Sequence, residues 1–366
     1  MAKPRKQKNE EQKPECSGGV VLHQKLCVSI DMVKRRIYGY TELKMTIPEG
    51  GHVALHADNM TITNISVDGE PADFEYFPLY QVVEEDRFCS VSCSSSAANV
   101  ACSVYTSSLD KEMVPNLLIA CNGSVKLDQP QEKENGRNSV QDSCSQQNEK
   151  LVRIDYWVDR AETGIHFVDN ALLTDNQIRR ARCWFPCLDS ISQRCPFDLE
   201  FTVDVNLVAV SNGDLHYQVL SKDDPPRKTF VYKLTTPVSA GWISLIVAPF
   251  EILSDSHNNI ISHICLPPSF SKLQNTVGFF HNAFSYYEDY LSTSFPFGSY
   301  KQIFIPPELT ISSLSLGASL CIFGSHILFD DRVIDQVCYT FNCEICSFPF
   351  KIMFLYRHAC KCFWST

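Results

Sequence analysis

Phe197-Asp-Leu-Glu-Phe-Thr-Val-Asp-Val-Asn-Leu207 alternates large apolar residues with polar ones over eleven positions. Strict period two puts Phe197, Leu199, Phe201, Val203, Val205 and Leu207 on one face of a strand, so this run predicts one buried face of a sheet. After Leu207 the parity flips to Val208 and Val210, which predicts a bulge or a strand end. Upstream, Leu26 to Ile30, Tyr38 to Ile47 and His52 to Val67 read as strands, broken at Pro48-Glu-Gly-Gly51 and Asp68-Gly-Glu-Pro71. Strands resume at Leu151 to Trp157 and continue through Phe230 to Leu234 and Trp242 to Leu253, the last apolar enough to be buried on both faces.

Beyond Leu253 the period changes. Phe280, Phe284, Tyr287 and Leu291 fall at i, i+4, i+7 and i+11, one stripe of an amphipathic helix entered near Asn275 and closed before Pro296. Tyr300 to Ile305 then reads as a strand stopped by Pro306-Pro307. The expected architecture is a β-rich domain at 19–255 with a flexible insertion at 127–150, followed by the opening of an α/β domain at 256–336. A polar tail at 1–18 is expected to be disordered, with Lys3, Arg5, Lys6 and Lys8 as a possible nuclear address. Residues 337–366 form a divergent tail with five cysteines, eight aromatics and a single acid, Glu344.

Composition narrows function. The 366 residues are 44% hydrophobic and 20% charged, which is globular rather than disordered composition. Met1 to Cys16 lacks the apolar core of a secretory signal, and Trp242 to Leu253 is too short for the ~20 apolar residues of a spanning helix. An intracellular chain is therefore expected, its 17 cysteines reduced and its sequons at Asn59, Asn64 and Asn122 unused. A net charge of -10 disfavours a self-sufficient nucleic-acid binder, because duplex binding rests on phosphate neutralisation.

His52 and His56 have zincin spacing, but positions four apart on a strand lie ~13 Å from each other, too far for one ion. The glutamate such a motif needs is also missing, so structural histidines are expected. Cys183, Cys187 and Cys195 lack Cys-x2-Cys spacing and read as small buried thiols. Cys343, Cys346, His358, Cys360 and Cys362 make a better ligand set, in the segment least like the rest of the chain. Serine-elbow, Walker and dinucleotide-binding glycine motifs are absent. Arg179-Arg-Ala-Arg182 and Lys34-Arg-Arg36 are the densest basic groups, each expected on a solvated or salt-bridged face.

Arg182-Cys-Trp-Phe-Pro-Cys-Leu-Asp189, Val210-Ser-Asn-Gly-Asp214, Ala248-Pro-Phe-Glu-Ile-Leu253 and Phe284-Ser-Tyr-Tyr-Glu-Asp-Tyr290 resemble, in order, phrases of the aminopeptidase N family. That resemblance implies a saddle-like β-domain followed by the start of a thermolysin-like domain. Phe185 to Ser190 with Cys195, and Leu199 to Asp204, resemble the family's non-peptidase branch, the TBP-associated factor two subunits of TFIID. The likeness runs from about residue 20 to Gln336. In the family's peptidases a Gly-x-Met-Glu-Asn segment anchors the substrate amino group. Aligned on Ile327-Leu-Phe-Asp330, it becomes Ser312, Ser313, Leu314, Ser315 and Leu316 here, without a carboxylate.

The resemblance thus implies a nuclear, non-catalytic scaffold for preinitiation-complex assembly. Its partners would be other TFIID subunits, TBP and, weakly and with their help, core-promoter DNA. It would have no membrane contact, small-molecule substrate, cofactor, metal or catalytic residue. The alternative is a fragment of a zinc aminopeptidase-type metallohydrolase. The chain is expected to be a truncated form, its tail intron-derived because valine codons such as that of Val337 begin with the GT that opens most introns. A non-functional splice by-product is compatible with either reading.

Overall fold

The alternating run at Phe197 becomes the Cys195–Asp204 strand, with Cys195, Phe197, Leu199, Phe201 and Val203 buried and the residues between them half-buried. The computed structural model describes residues 19–48, 51–77, 95, 98–99, 101–103, 106, 112–121, 149–161, 163–176, 178–222, 224–278, 280–310 and 314–330. The 1–18 tail, residues 127–148 of the expected 127–150 insertion and the 337–366 tail, with its Cys and His set, lie outside them; Glu149 and Lys150 already belong to the strand Glu149–Asp159, so the insertion ends two residues earlier than expected.

Cys195–Asp204 lies inside an eight-stranded sheet. Its strands run in the order Asp214–Leu220, Arg227–Val238, Cys195–Asp204, Val21–Asp31, Arg36–Thr46, Glu149–Asp159, Thr61–Val67 and Glu70–Pro71. Val21–Asp31 pairs with it in parallel, Leu26 opposite Leu199, and Arg227–Val238 pairs antiparallel, Leu199 opposite Tyr232. The strand stops at Asp204, so Val205 is exposed, and the parity flip marks a change of sheet rather than a bulge. Val208–Ser211 joins Leu245–Ala248, Ala171–Thr174 and Ile165–Val168 in a four-stranded sheet.

Two other runs divide. His52 to Val67 contributes His52–Leu55 to a three-stranded sheet with Leu117–Ala120 and Phe74–Tyr76, and Thr61–Val67 to the large sheet. Trp242 to Leu253 breaks at Pro249, whose ring removes a donor. Leu245–Ala248 is buried on both faces as expected, but Glu251–Ser254 is a mostly exposed edge strand of a five-stranded sheet.

That sheet has three parallel central strands, Ile261–Cys265, Tyr300–Ile305 and Leu320–Gly324, with antiparallel edges. Tyr300–Ile305 is buried throughout, as parallel strands covered on both faces are. The crossover carries helices α1 (Phe270–Val277) and α2 (Phe280–Leu291). The stripe is carried by α2, which begins at Phe280, five residues after Asn275; Asn275 itself lies in α1, which starts just after the Pro267–Ser269 turn, where proline suits a helix start. Phe280, Phe284 and Leu291 are buried, and Phe280 and Phe284 pack with Phe295 and Tyr300 at ring distances of 5.4 to 6.2 Å. Among the described residues no helix is long and apolar enough to cross a membrane.

The four- and five-stranded sheets share a core of Leu173, Val210, Ile246, Phe250, Ile264, Ile303, Leu320 and neighbours. The Val210 to Asp214 phrase ties them together. Buried Asn212 donates from Nδ2 to the carbonyl of Ala318 and accepts at Oδ1 from Ser244 N at 2.5 Å. Gly213 N donates to Ser319 Oγ at 2.9 Å, and the Lys301 ammonium donates to the Gly213 carbonyl and, at 3.2 Å, to Ser299 Oγ. Gly213 has φ +76°, and a Cβ there would stand 2.4 Å from the Lys233 carbonyl. Burial pulls the Lys301 amine down to about 7, against the opposing field of Asp214.

Candidate functional site

The Arg182 to Asp189 phrase folds as a buried knot. A short turn at Ala181–Cys183 leads into Trp184, Phe185 and Cys187, all fully buried, with Trp184 Nε1 donating to Asn176 Oδ1 at 2.8 Å. The Arg182 side chain is 1% exposed. Its Nε donates to Asp189 Oδ2 at 3.1 Å, Nη1 to the Glu112 carbonyl at 2.6 Å and Nη2 to the Asp189 carbonyl at 3.4 Å.

His56 closes the knot from the other side. It exchanges backbone hydrogen bonds with Cys187 at 2.8 and 3.1 Å, and its Nδ1 accepts from Asp189 N at 3.2 Å. An imidazole that accepts there carries no proton on that nitrogen, and burial pushes its pKa down to about 4. His52 is exposed, on the strand that ends at Leu55. The two histidines therefore occupy different environments, one solvated and one internal.

This knot floors a cleft of about 830 Å³. Trp242, Ser190 and Ile178 line one part, and Ser315 and Leu316 of the five-stranded sheet line another. Ser315 and Leu316 belong to the segment aligned with the peptidases' amino-group anchor; Ser312 and Ser313 lie outside the described residues. Sequence reasoning missed Glu112, which the fold brings to this cleft beside Arg179 and Arg180 at 3.9 and 3.5 Å. Both carboxylates here, Glu112 and Asp189, face arginines, so neither is poised to hold a substrate ammonium. In the Arg179 to Arg182 group, Arg179 and Arg180 are half-buried and salt-bridged to Glu112, and of the arginines Arg182 alone is internal.

The second basic group gains a member instead. Lys34, Arg35 and Arg36 sit at the hairpin after Val21–Asp31, and pairing of Arg36 with Asp159 brings Arg160 alongside, its N donating to the Arg35 carbonyl at 3.2 Å. Lys34, Arg35, Arg36 and Arg160 line a depression of about 610 Å³ with Asp159 and Phe167. Arg36 bonds Asp159 at 3.0 Å and lies 4.6 Å over the Trp157 ring, while Lys34 is 70% exposed, 3.6 Å from Asp31. Nothing in sequence spacing links Arg160 to Lys34.

Cys183, Cys187 and Cys195 are all buried, and burial raises each thiol; those of Cys183 and Cys195 rise to about 11 and about 12. Cys183 meets Thr163 Oγ1 at 3.4 Å and Asp58 at 3.8 Å, and the three do not converge as a ligand group among the described residues.

Largely antiparallel sheets running into a parallel sheet, with a cleft where they meet, make the fold of the aminopeptidase-type hydrolases. Native leukotriene A4 hydrolase from Saccharomyces cerevisiae matches 90% of this chain with 45% of its own at a TM-score of 0.61 and 14% identity. The yeast enzyme in complex with bestatin matches at a TM-score of 0.60, again over 90% of this chain and with 44% of its own. At that identity the likeness is one of fold. No family model matches the chain.

In sequence the chain resembles the TFIID subunit 2 branch of this fold. Transcription initiation factor TFIID subunit 2 of Drosophila melanogaster is 32% identical over 337 residues, 86% of this chain and 26% of the fly protein. The subunit 2 proteins of Danio rerio and Gallus gallus are each 30% identical, over 86% and 88% of this chain. The chain spans about a quarter of the length of these relatives.

Proposed function

We propose that this chain acts in the nucleus as part of the general transcription factor TFIID, as a non-catalytic scaffold that other TFIID subunits and TBP bind and that touches core-promoter DNA with their help. The observation that carries this reading is the 30–32% identity to TFIID subunit 2 proteins, held over 86–88% of the chain. The pairing of both cleft carboxylates with arginines supports a bound surface rather than a working pocket. In this reading 19–255 is the saddle domain and 256–336 the start of the second. The Lys34, Arg35, Arg36 and Arg160 corner is its contact to phosphate.

The test is reconstitution. The chain co-expressed with the other TFIID subunits and TBP is expected to co-purify with them through size exclusion; elution as a lone species under low-salt conditions would overturn the proposal. The hydrolase likeness in fold motivates one rival, a fragment of a zinc aminopeptidase-type enzyme. Amino-acid amide hydrolysis that a chelator abolishes and zinc restores would favour that rival.

A further inference from the structure

A group of nitrogen and oxygen donors lies on the five-stranded sheet, away from the cleft. Strand Glu251–Ser254 ends in a turn whose first residue, Asp255, accepts at Oδ1 from the backbone N of His257 and of Asn258 at 2.8 and 3.0 Å. Those bonds fix the carboxylate, 6% exposed, with Oδ2 facing helix α2 and the next strand. His281, second residue of α2, presents Nδ1 to Oδ2 at 3.8 Å, and His257 Nδ1, paired with Ser256 Oγ at 2.9 Å, lies 3.8 Å from Oδ1. The His257 and His281 rings stack 4.1 Å apart at 13°. One donor atom each from Asp255, His257 and His281 lies within 4.8 Å of the others.

His263, on the neighbouring strand and 1% exposed, supplies an independent pointer to a ligand here. Its Nδ1 pairs with Gln302 Oε1 at 2.9 Å, and donation to that oxygen leaves the Nε2 lone pair facing Asp255 Oδ2 at 3.9 Å. His263 Nε2 and His281 Nδ1 are both buried atoms without a hydrogen-bond partner. Two imidazole nitrogens at 3.8 and 3.9 Å from one carboxylate oxygen are beyond hydrogen-bond reach. They are close to the spacing of ligands around a shared ion: bonds of ~2.0–2.2 Å in a tetrahedron separate ligand atoms by about 3.3–3.6 Å.

We propose that Asp255, His257 and His281 bind a divalent transition-metal ion of the zinc type, with the unpartnered Nε2 of His263 facing the same carboxylate from the interior. Two imidazoles and one carboxylate are a borderline donor set, which suits Zn²⁺ or Co²⁺ rather than the all-oxygen demands of Ca²⁺ and Mg²⁺. His257 is 65% exposed, so the ion enters from solvent and keeps a position open to water. The ion joins the Asp255 turn to α2 and so fastens the helix to its sheet, a structural role independent of the proposed function.

The test uses the full chain titrated with Co²⁺ and followed by visible absorption, then with Zn²⁺ and followed by thermal melting. One equivalent of Co²⁺ is expected, with the ligand-field bands of nitrogen and oxygen donors and no thiolate charge transfer, and Zn²⁺ is expected to raise the melting temperature. Asp255→Asn and His281→Ala should each weaken binding roughly tenfold or more. His257→Ala, at an exposed side chain, should weaken it and remove the Zn²⁺-induced rise measured from the variant's own metal-free melting temperature, which separates ligation from folding. Lack of saturable binding at micromolar Co²⁺, equal binding by all three variants, or a thiolate band lost in Cys343→Ser/Cys346→Ser would each overturn the proposal.

Discussion

Asp189 Oδ2 accepts from both the backbone N and the Nε of Arg182, at 3.3 and 3.1 Å, with the two side chains 5% and 1% exposed. Seven residues apart, they close the Trp184 and Phe185 knot on itself. Removing one partner leaves a buried charge uncompensated, which costs about 3–5 kcal/mol. Asp189→Asn is therefore expected to lower the urea midpoint by that equivalent. A loss under about 1 kcal/mol would mean that the pair is solvated in solution.

Lys301 makes stability depend on pH. Its native pKa of about 7 lies below the ordinary lysine value of 10.5, so above pH 7 the unfolded chain holds a proton that the native chain has released. Stability from this group therefore rises with pH from about 7 toward 10.5. Buried thiols act oppositely above pH 9: those of Cys195 and Cys321 are pushed up to about 12, so ionisation favours the unfolded chain. The clean window is pH 7 to 9, where wild type should gain on the order of 2 kcal/mol relative to Lys301→Met. Parallel stability profiles of the two proteins in urea titrations would contradict this.

The Asn212-Gly213 junction sets how firmly the two sheets hold together. Gly213→Ala forces a side chain onto a left-handed residue and against the Lys233 carbonyl, and should cost about 1–3 kcal/mol. Asn212→Ala removes the bonds to Ala318 and Ser244, so limited proteolysis should cut 256–330 faster while most of 20–253 keeps its wild-type resistance. Equal acceleration on both sides would show that the junction is not a separable seam.

Duplex binding by the chain alone is expected to be weak and lost near physiological salt, because a net charge of -10 with local cations releases few counterions. With TFIID partners present, the triple variant Lys34→Glu, Arg35→Glu and Arg160→Glu should weaken promoter binding and flatten its salt dependence. Arg179→Glu with Arg180→Glu should do so less, since those arginines face Glu112. Tight, sequence-selective binding by the isolated chain in mobility-shift assays would identify a primary DNA reader instead of a scaffold.

The local alphabet of this fold is legible in the sequence. Alternation placed Phe197 to Val203 on a buried strand face, the i, i+4, i+7, i+11 stripe placed Phe280 to Leu291 on a helix, and Pro306 closed the Tyr300–Ile305 strand, because each signal lies within one element and depends only on its own period. The family phrases were legible too, and they fall where sheets are tied together: Arg182 to Asp189 in the knot, Val210 to Asp214 at the junction. Which sheet a strand joins was not legible, as His52 to Val67 and Val208–Ser211 demonstrate, because long-range pairing is decided by what packs on each face, not by the period of the strand itself. The same holds for charge. Only tertiary structure set Glu112 against Arg179 and Arg180, Arg160 beside Lys34 to Arg36, and Asp255 among three histidines, since electrostatic neighbours are defined by distances of a few ångströms across chain separations of up to more than a hundred residues.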